Sequence, residues 1–350
     1  MYPSFPHTTF VQSYELNLGV KLTGKKQWHQ LLNYPRFGLS FFFTDLGNNK
    51  ILGQQFCLVP IAVFPIIRNA NKKFQCDVKA GMGASYFTRI YDSIKNPENF
   101  SVGEHFTWQV DLGFITRYAL GPSAFLQAGA MWMHSSDSHT VLPNVGINTF
   151  ALNAGVVIYP LRNNVITHHF DTLISNKKIF FSGRFSAGWQ KRGGAFGPAG
   201  GPSYPVYTGS VFVSKIFAHV VKLNTGFTYH YYQNYYDFII ENNLYPSLQK
   251  LKASSFIWFF GGELLMGRVA FCLEPGINLY KPAYQAFWNQ YEKKSKVDYY
   301  EKQILAMRIG LNFYLFNPDL HPHNNAFIGC FVNANSGQAE FMEFTAGYVF

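Results

Sequence analysis

The chain has 350 residues, 18% of them aromatic and only 14% charged, with a net charge of +10. Charge this sparse lies well under the roughly 25% of an ordinary soluble domain, yet no run stays apolar for the about 20 residues that a membrane helix needs. With a mean hydropathy of -0.04, spanning helices are excluded, and the scattered Lys and Arg, with no dense basic run, argue against a nucleic-acid partner.

What remains is a chain whose apolar residues are spread at period two, as in the wall of a barrel. The opening Met1-Tyr-Pro-Ser-Phe-Pro has neither a basic start nor an apolar stretch of the secretory kind, so a mature chain or a clipped gene start is expected. Alternation is clearest in four places. In 73–88, Phe74, Cys76, Val78, Ala80, Met82, Ala84 and Tyr86 share one face; in 104–118, Phe106, Trp108, Val110, Leu112 and Phe114 do so. In 148–160 the apolar set is Phe150, Leu152, Ala154, Val156 and Ile158, and in 221–231 it is Val221, Leu223, Phe227, Tyr229 and Tyr231. The intervening residues are small or polar, the character of a barrel lumen. These runs match the roughly 9–11 residues of a tilted membrane strand rather than the 5–6 of a soluble one.

The full set of expected strands is 9–22, 36–45, 52–67, 73–88, 104–118, 122–135, 148–160, 178–190, 205–217, 220–232, 253–265, 267–280, 301–315, 323–334 and 339–350. Short turns such as Leu120-Gly121-Pro122 and Met266-Gly267-Arg268 alternate with long polar connections at 89–103, 190–204, 233–252 and 283–300. The fold class is therefore all-β: an antiparallel transmembrane β-barrel of about 14 strands, within 12 to 16, because single-chain bacterial barrels favour even numbers. Residues 1–160 form one region, and 161–350 are expected to add strands that complete the same barrel, with 161–177 as the internal boundary. The last strand puts Met342, Phe344, Ala346, Tyr348 and Phe350 on one face. A terminal aromatic there resembles the signal read by outer-membrane assembly machinery.

Chemistry concentrates in 131–149. His134 and Ser136 are two apart on a strand and so share a face, in phase with Trp132, Ala130, Ala128 and Leu126. Asn148 is in phase with the apolar face of the next strand. All three should meet outside the barrel near one rim. A serine becomes a nucleophile beside a base, and a histidine serves when a third polar group orients it. The loop 137–147, with Asn144 and Gly146, offers N–H donors for an oxyanion.

His134-x-Ser136 followed by Pro143-Asn144-x-Gly146-Ile147-Asn148 resembles the H-x-S-N…P-N-x-G-I-E motif of PagL-type lipid A 3-O-deacylases, with the spacing intact. Weaker likeness to longer members, described as acyloxyacyl hydrolases, runs through Gly24–Leu31, Asn33-Tyr34-Pro35-Arg36 and Ala339–Phe344. The resemblance implies an outer-membrane barrel of a Gram-negative cell, acting on lipid A of lipopolysaccharide without metal or other cofactor. It gives His134 the role of base, Ser136 that of nucleophile, position 148 that of orienting the imidazole, and Asn144 that of the oxyanion site. The +10 charge suits lipopolysaccharide phosphates. Two departures matter. Asn148 stands where the family has an acid, which implies a slower enzyme with Asp137 as a candidate substitute acid; His139 stands where the family has Gly.

The remaining clusters point nowhere chemical. Cys57, Cys76, Cys272 and Cys330 form no CxxC pair, although Cys57 and Cys76 fall on adjacent strands and are candidates for pairing. His168-His169 and His321-Pro-His323 lack the context of a metal site. Glu340 and Glu343, three apart on a strand, are expected on opposite faces and not as a glycosidase pair. The rival readings are a barrel without catalysis that acts as a pore, transport component or surface-binding protein, and a soluble lipid-binding barrel.

Overall fold

A computed structural model describes residues 5–68, 73–159, 178–291, 295–320 and 324–350. The pairs His168-His169 and His321/His323, and the boundary 161–177, lie outside the described residues. Contacts divide the chain into two compact units, one of residues 1–137 with 143–171, the other of 172–350 with 138–142.

The first unit is a seven-stranded antiparallel meander in chain order. Its strands are β1 (Gln12–Lys21), β2 (Arg36–Asp45), β3 (Gln54–Arg68), β4 (Phe74–Phe87), β5 (Phe106–Ala119), β6 (Ala124–Ser136) and β7 (Ile147–Ile158), with a short helix α1 (Gln27–Leu31) between β1 and β2. Inward residues of β2 and β3, including Phe42, Cys57 and Val59, touch Met131 and Met133 of β6. Gln55 also donates to Ser135 Oγ at 2.6 Å. Strands so far apart in order meet only if the sheet curls, so this face is concave. It carries a buried polar cluster in which Arg117 and Arg36 hold Asp77 at 2.7 and 3.2 Å. Both guanidinium groups also donate to the Tyr159 hydroxyl. The other face is apolar and open: Phe150 is 82% exposed and Leu152 91%.

The second unit closes on itself. Strands β8 (Phe180–Lys191), β9 (Ser203–Phe217), β10 (Val221–Tyr232), β11 (Ser254–Met266), β12 (Val269–Tyr280), β13 (Leu305–Tyr314), β14 (Asn325–Asn335) and β15 (Gln338–Val349) form an eight-stranded barrel in which β15 pairs with β8. Four helices lie at one rim: α2 (Gln233–Glu241) and α3 (Gln249–Lys252) after β10, and α4 (Tyr284–Tyr291) and α5 (Lys296–Ile304) after β12. The interior is filled. Arg184 meets Glu274 through two bonds of 2.7 Å, Arg308 bridges Glu274 and Glu343, and Tyr314 donates to Glu263 at 2.6 Å. Below this network pack Phe212, Phe259, Phe327 and Phe331.

The all-β, antiparallel class and the long alternating strands are as the sequence implied, and all fifteen expected segments form strands among the described residues. Three expectations change. First, β8–β15 do not extend the first sheet, because eight strands suffice for closure and leave no free edge to join; the even count applies to that barrel alone. An eight-stranded lumen is just wide enough for side chains, and the buried ion pairs fill it, so a wider pore formed by the added strands is not what they build. Second, Cys57 lies opposite Ser85 and Cys76 opposite Ile67, too far apart in register to pair, and all four cysteines are free. Third, the register shift at Asn333/Ala334 brings Glu340 to interior donors, Lys281 at 2.9 Å and Tyr232 at 3.2 Å, so Glu340 and Glu343 both find partners inside rather than on opposite faces. The connections read as loops at 233–252 and 283–300 hold the four helices.

Candidate active site

The hairpin β6–β7 sets the site. Its register pairs His134 with Asn148 and Trp132 with Phe150, so these four side chains lie on one face. Met131, Met133 and Ser135 point the other way and are buried. His134 and Ser136 are half-buried and Asn148 is exposed, on the same outward face as Phe150 and Leu152.

Asn148 Oδ1 receives two hydrogen bonds, from Trp132 Nε1 at 3.2 Å and with His134 Nδ1 at 3.0 Å. An indole N–H can only donate, so the atom facing it is the amide oxygen. His134 Nδ1 therefore carries the proton in its bond to that oxygen. The neutral ring then has its lone pair on Nε2, the tautomer a general base needs. Trp132 also stacks on the imidazole, with ring centroids 5.8 Å apart and planes 17° apart. In the sequence, the phase of Trp132 with His134 is the one sign of this contact.

Ser136 Oγ accepts from Asn144 Nδ2 at 2.9 Å, while Asn144 Oδ1 accepts from the Asp137 N–H at 3.5 Å. Asn144 thus places a fixed donor on the Ser136 oxygen. Gly146 packs between the two catalytic candidates. A Cβ there would stand 3.1 Å from His134 Cε1 and 3.6 Å from Ser136 Cβ, and its φ is +76°. Its N–H is committed to Ser101 O at 3.0 Å, as that of Val145 is to Phe100 O at 3.1 Å. Of the loop's donors, the Asn144 side chain faces Ser136, while the Gly146 N–H is already bonded elsewhere. Asp137 is buried just beyond the strand, and the Nδ1 it would have to reach is occupied by Asn148. Ser138 and His139 both hold left-handed backbone, at φ +60° and +69°. That is the conformation a glycine adopts freely, which accounts for Gly at the His139 position in the motif.

Fold and site together describe an antiparallel β-sheet protein with a serine–histidine–amide constellation on its apolar outer face. Residues 12–157 match the family model described as lipid A 3-O-deacylase (PagL), and the resemblance read from the motif is borne out over this region. No curated protein matches the chain. Among solved structures it is similar to the FrpB iron transporter of Neisseria meningitidis at 9% identity, covering 97% of this chain and 73% of that one with a TM-score of 0.21. It is also similar to a mutant Rh. blastica porin (8%, 97% and 89%, TM-score 0.16) and to a Pseudomonas aeruginosa FadL homologue (10%, 97% and 86%, TM-score 0.18). Likeness at this level bears on neither mechanism nor substrate.

Proposed function

We propose that this protein is an outer-membrane serine esterase of Gram-negative cells that removes an ester-linked acyl chain from lipid A. Ser136 Oγ attacks the acyl carbonyl carbon while His134 Nε2 takes the hydroxyl proton. The tetrahedral intermediate expels the sugar hydroxyl, which regains that proton from His134. Water, activated by the same histidine, then releases the fatty acid from Ser136. Asn144 Nδ2 donates to the developing oxyanion, and Asn148 holds the imidazole in its basic tautomer. The observation that carries this reading is the pair of bonds His134–Asn148 and Asn144–Ser136 on one outward face. The family match over the same strands supports it.

The substrate side rests on the surface around the site. Exposed Phe106, Leu112 and Phe114 on β5 and Phe150 and Leu152 on β7 lie on the same apolar outer face, and contiguous exposed apolar surface marks a lipid or partner contact. In the second unit, aromatic rings gather at both barrel ends, Trp189 and Tyr207 at the helical rim and Phe181, Phe217 and Phe313 at the other. Such girdles mark membrane interfaces and weigh against a soluble lipid-binding barrel. A lipid arriving by lateral diffusion needs no deep pocket. Mass spectrometry of lipid A from cells expressing the wild type or Ser136→Ala tests the proposal. Loss of one acyl chain, seen with the wild type only, is expected; two profiles matching the empty vector sink it.

A further inference from the structure

A cleft opens under the helices of the second unit, between α2, α4, α5 and the β14–β15 hairpin. Four amide side chains line it, Gln190, Asn234, Asn335 and Gln338, together with the rings of Tyr235, Tyr284 and Phe287. Glu340 forms part of the wall, held by Lys281 at 2.9 Å and Tyr235 at 3.3 Å. Gln190 is only 4% exposed, yet its Nε2 has no partner. A second, smaller cavity shares Asn335 and Glu340 with the first, and there the buried Arg308 Nη2 and Asn333 Nδ2 also lack acceptors. A buried donor without an acceptor is destabilising, and three of them line these two adjoining spaces.

The ligand that answers these groups supplies acceptor oxygens. The wall carries charge of both signs, the Glu340 carboxylate held by Lys281 beside Lys191 and Lys302, whose ammonium groups bond the neutral oxygens of Gly201 and Gln338. Hydroxyl groups satisfy both sides, since they accept from amide and guanidinium N–H and donate to a carboxylate. Burial, with Glu340 alongside, keeps the Tyr235 phenol protonated and so a donor. The ring faces suit the C–H face of a pyranose. We propose that this cleft is a saccharide-binding site, independent of the esterase site.

The test is calorimetric titration of the full detergent-solubilised chain with chitotriose, maltotriose and lipopolysaccharide core oligosaccharide. Saturable binding of at least one is expected, weakened tenfold or more by Gln190→Leu and by Tyr284→Ala and unchanged by Ser136→Ala. Gln190→Leu retains side-chain bulk and keeps the test open if Tyr284→Ala fails to fold. Absence of saturable binding by all three sugars, or equal binding by wild type and Gln190→Leu, overturns the proposal. The Ser136→Ala arm separates this outcome from failure of the esterase reading.

Discussion

An amide at position 148 does half of what a carboxylate does. It fixes the imidazole tautomer through the bond to Nδ1, but it brings no charge to stabilise the imidazolium formed during attack. Asn148→Asp retains an oxygen for both Trp132 and His134 and adds that charge. The expected result is a rise of about tenfold or more in kcat, measured as fatty acid released from lipid A in detergent micelles by purified protein. Asn144→Ala works in the other direction. It removes the donor 2.9 Å from Ser136 Oγ, and kcat should fall by about 10²-fold with KM little changed. Equal KM and kcat effects would make Asn144 a binding group. At this scale the sequence was informative where spacing sufficed: His134 and Ser136 are two apart, and two-apart residues share a face of any strand. The His134 tautomer was not readable, because it depends on Trp132 and Asn148 meeting across the hairpin.

The hairpin between β6 and β7 is the element that turns these residues into a site. Its loop is pinned by the bonds from Val145 and Gly146 to Phe100 and Ser101, and Gly146 holds a left-handed backbone against the imidazole. Gly146→Ala would place a methyl 3.0 Å from Ser135 O and 3.1 Å from His134 Cε1. Strain of about 1–2 kcal/mol follows from φ alone, and the ring must shift. Activity should drop at least tenfold while the protein keeps its heat-modifiable migration on gels; full activity would show that the ring has room to spare. Strands were legible because alternation over ten or more residues has no competing explanation. The helices α2, α4 and α5 were not, because eight or nine residues such as Tyr284-Gln-Ala-Phe-Trp-Asn-Gln-Tyr291 cover little more than two turns. A pattern that short does not separate a helix from an aromatic loop. The meeting of His134 and Asn148 was legible from the phase of their two strands, whereas their direct cross-strand pairing was not, since a connection of ten residues leaves the register unspecified.

Across the whole molecule the two units meet the backbone's demand for partners differently. In β8–β15 every strand has two neighbours, and the lumen is locked by ion pairs drawn from β8, β12, β13 and β15. No sequence spacing announces that network, because its members are 34 to 90 positions apart. Its integrity is testable: Glu274→Leu strips both Arg184 and Arg308 of a carboxylate in a buried site. Breaking such a pair costs about 3–5 kcal/mol, so a marked loss of thermal stability by circular dichroism is expected. In the first unit, by contrast, β1 pairs only with β2 and β7 only with β6 among the described strands. Each leaves a row of N–H and C=O groups unmatched, which hydrocarbon does not tolerate and which in water invites edge-to-edge association. Expressed separately, residues 178–350 should refold in detergent as a protease-resistant, monomeric barrel, whereas residues 5–159 should aggregate or associate through their edges. Light scattering and limited proteolysis of the two fragments distinguish these behaviours. A monomeric, protease-resistant 5–159 would mean that the seven strands satisfy their own edges, and the contrast between the units would then be wrong.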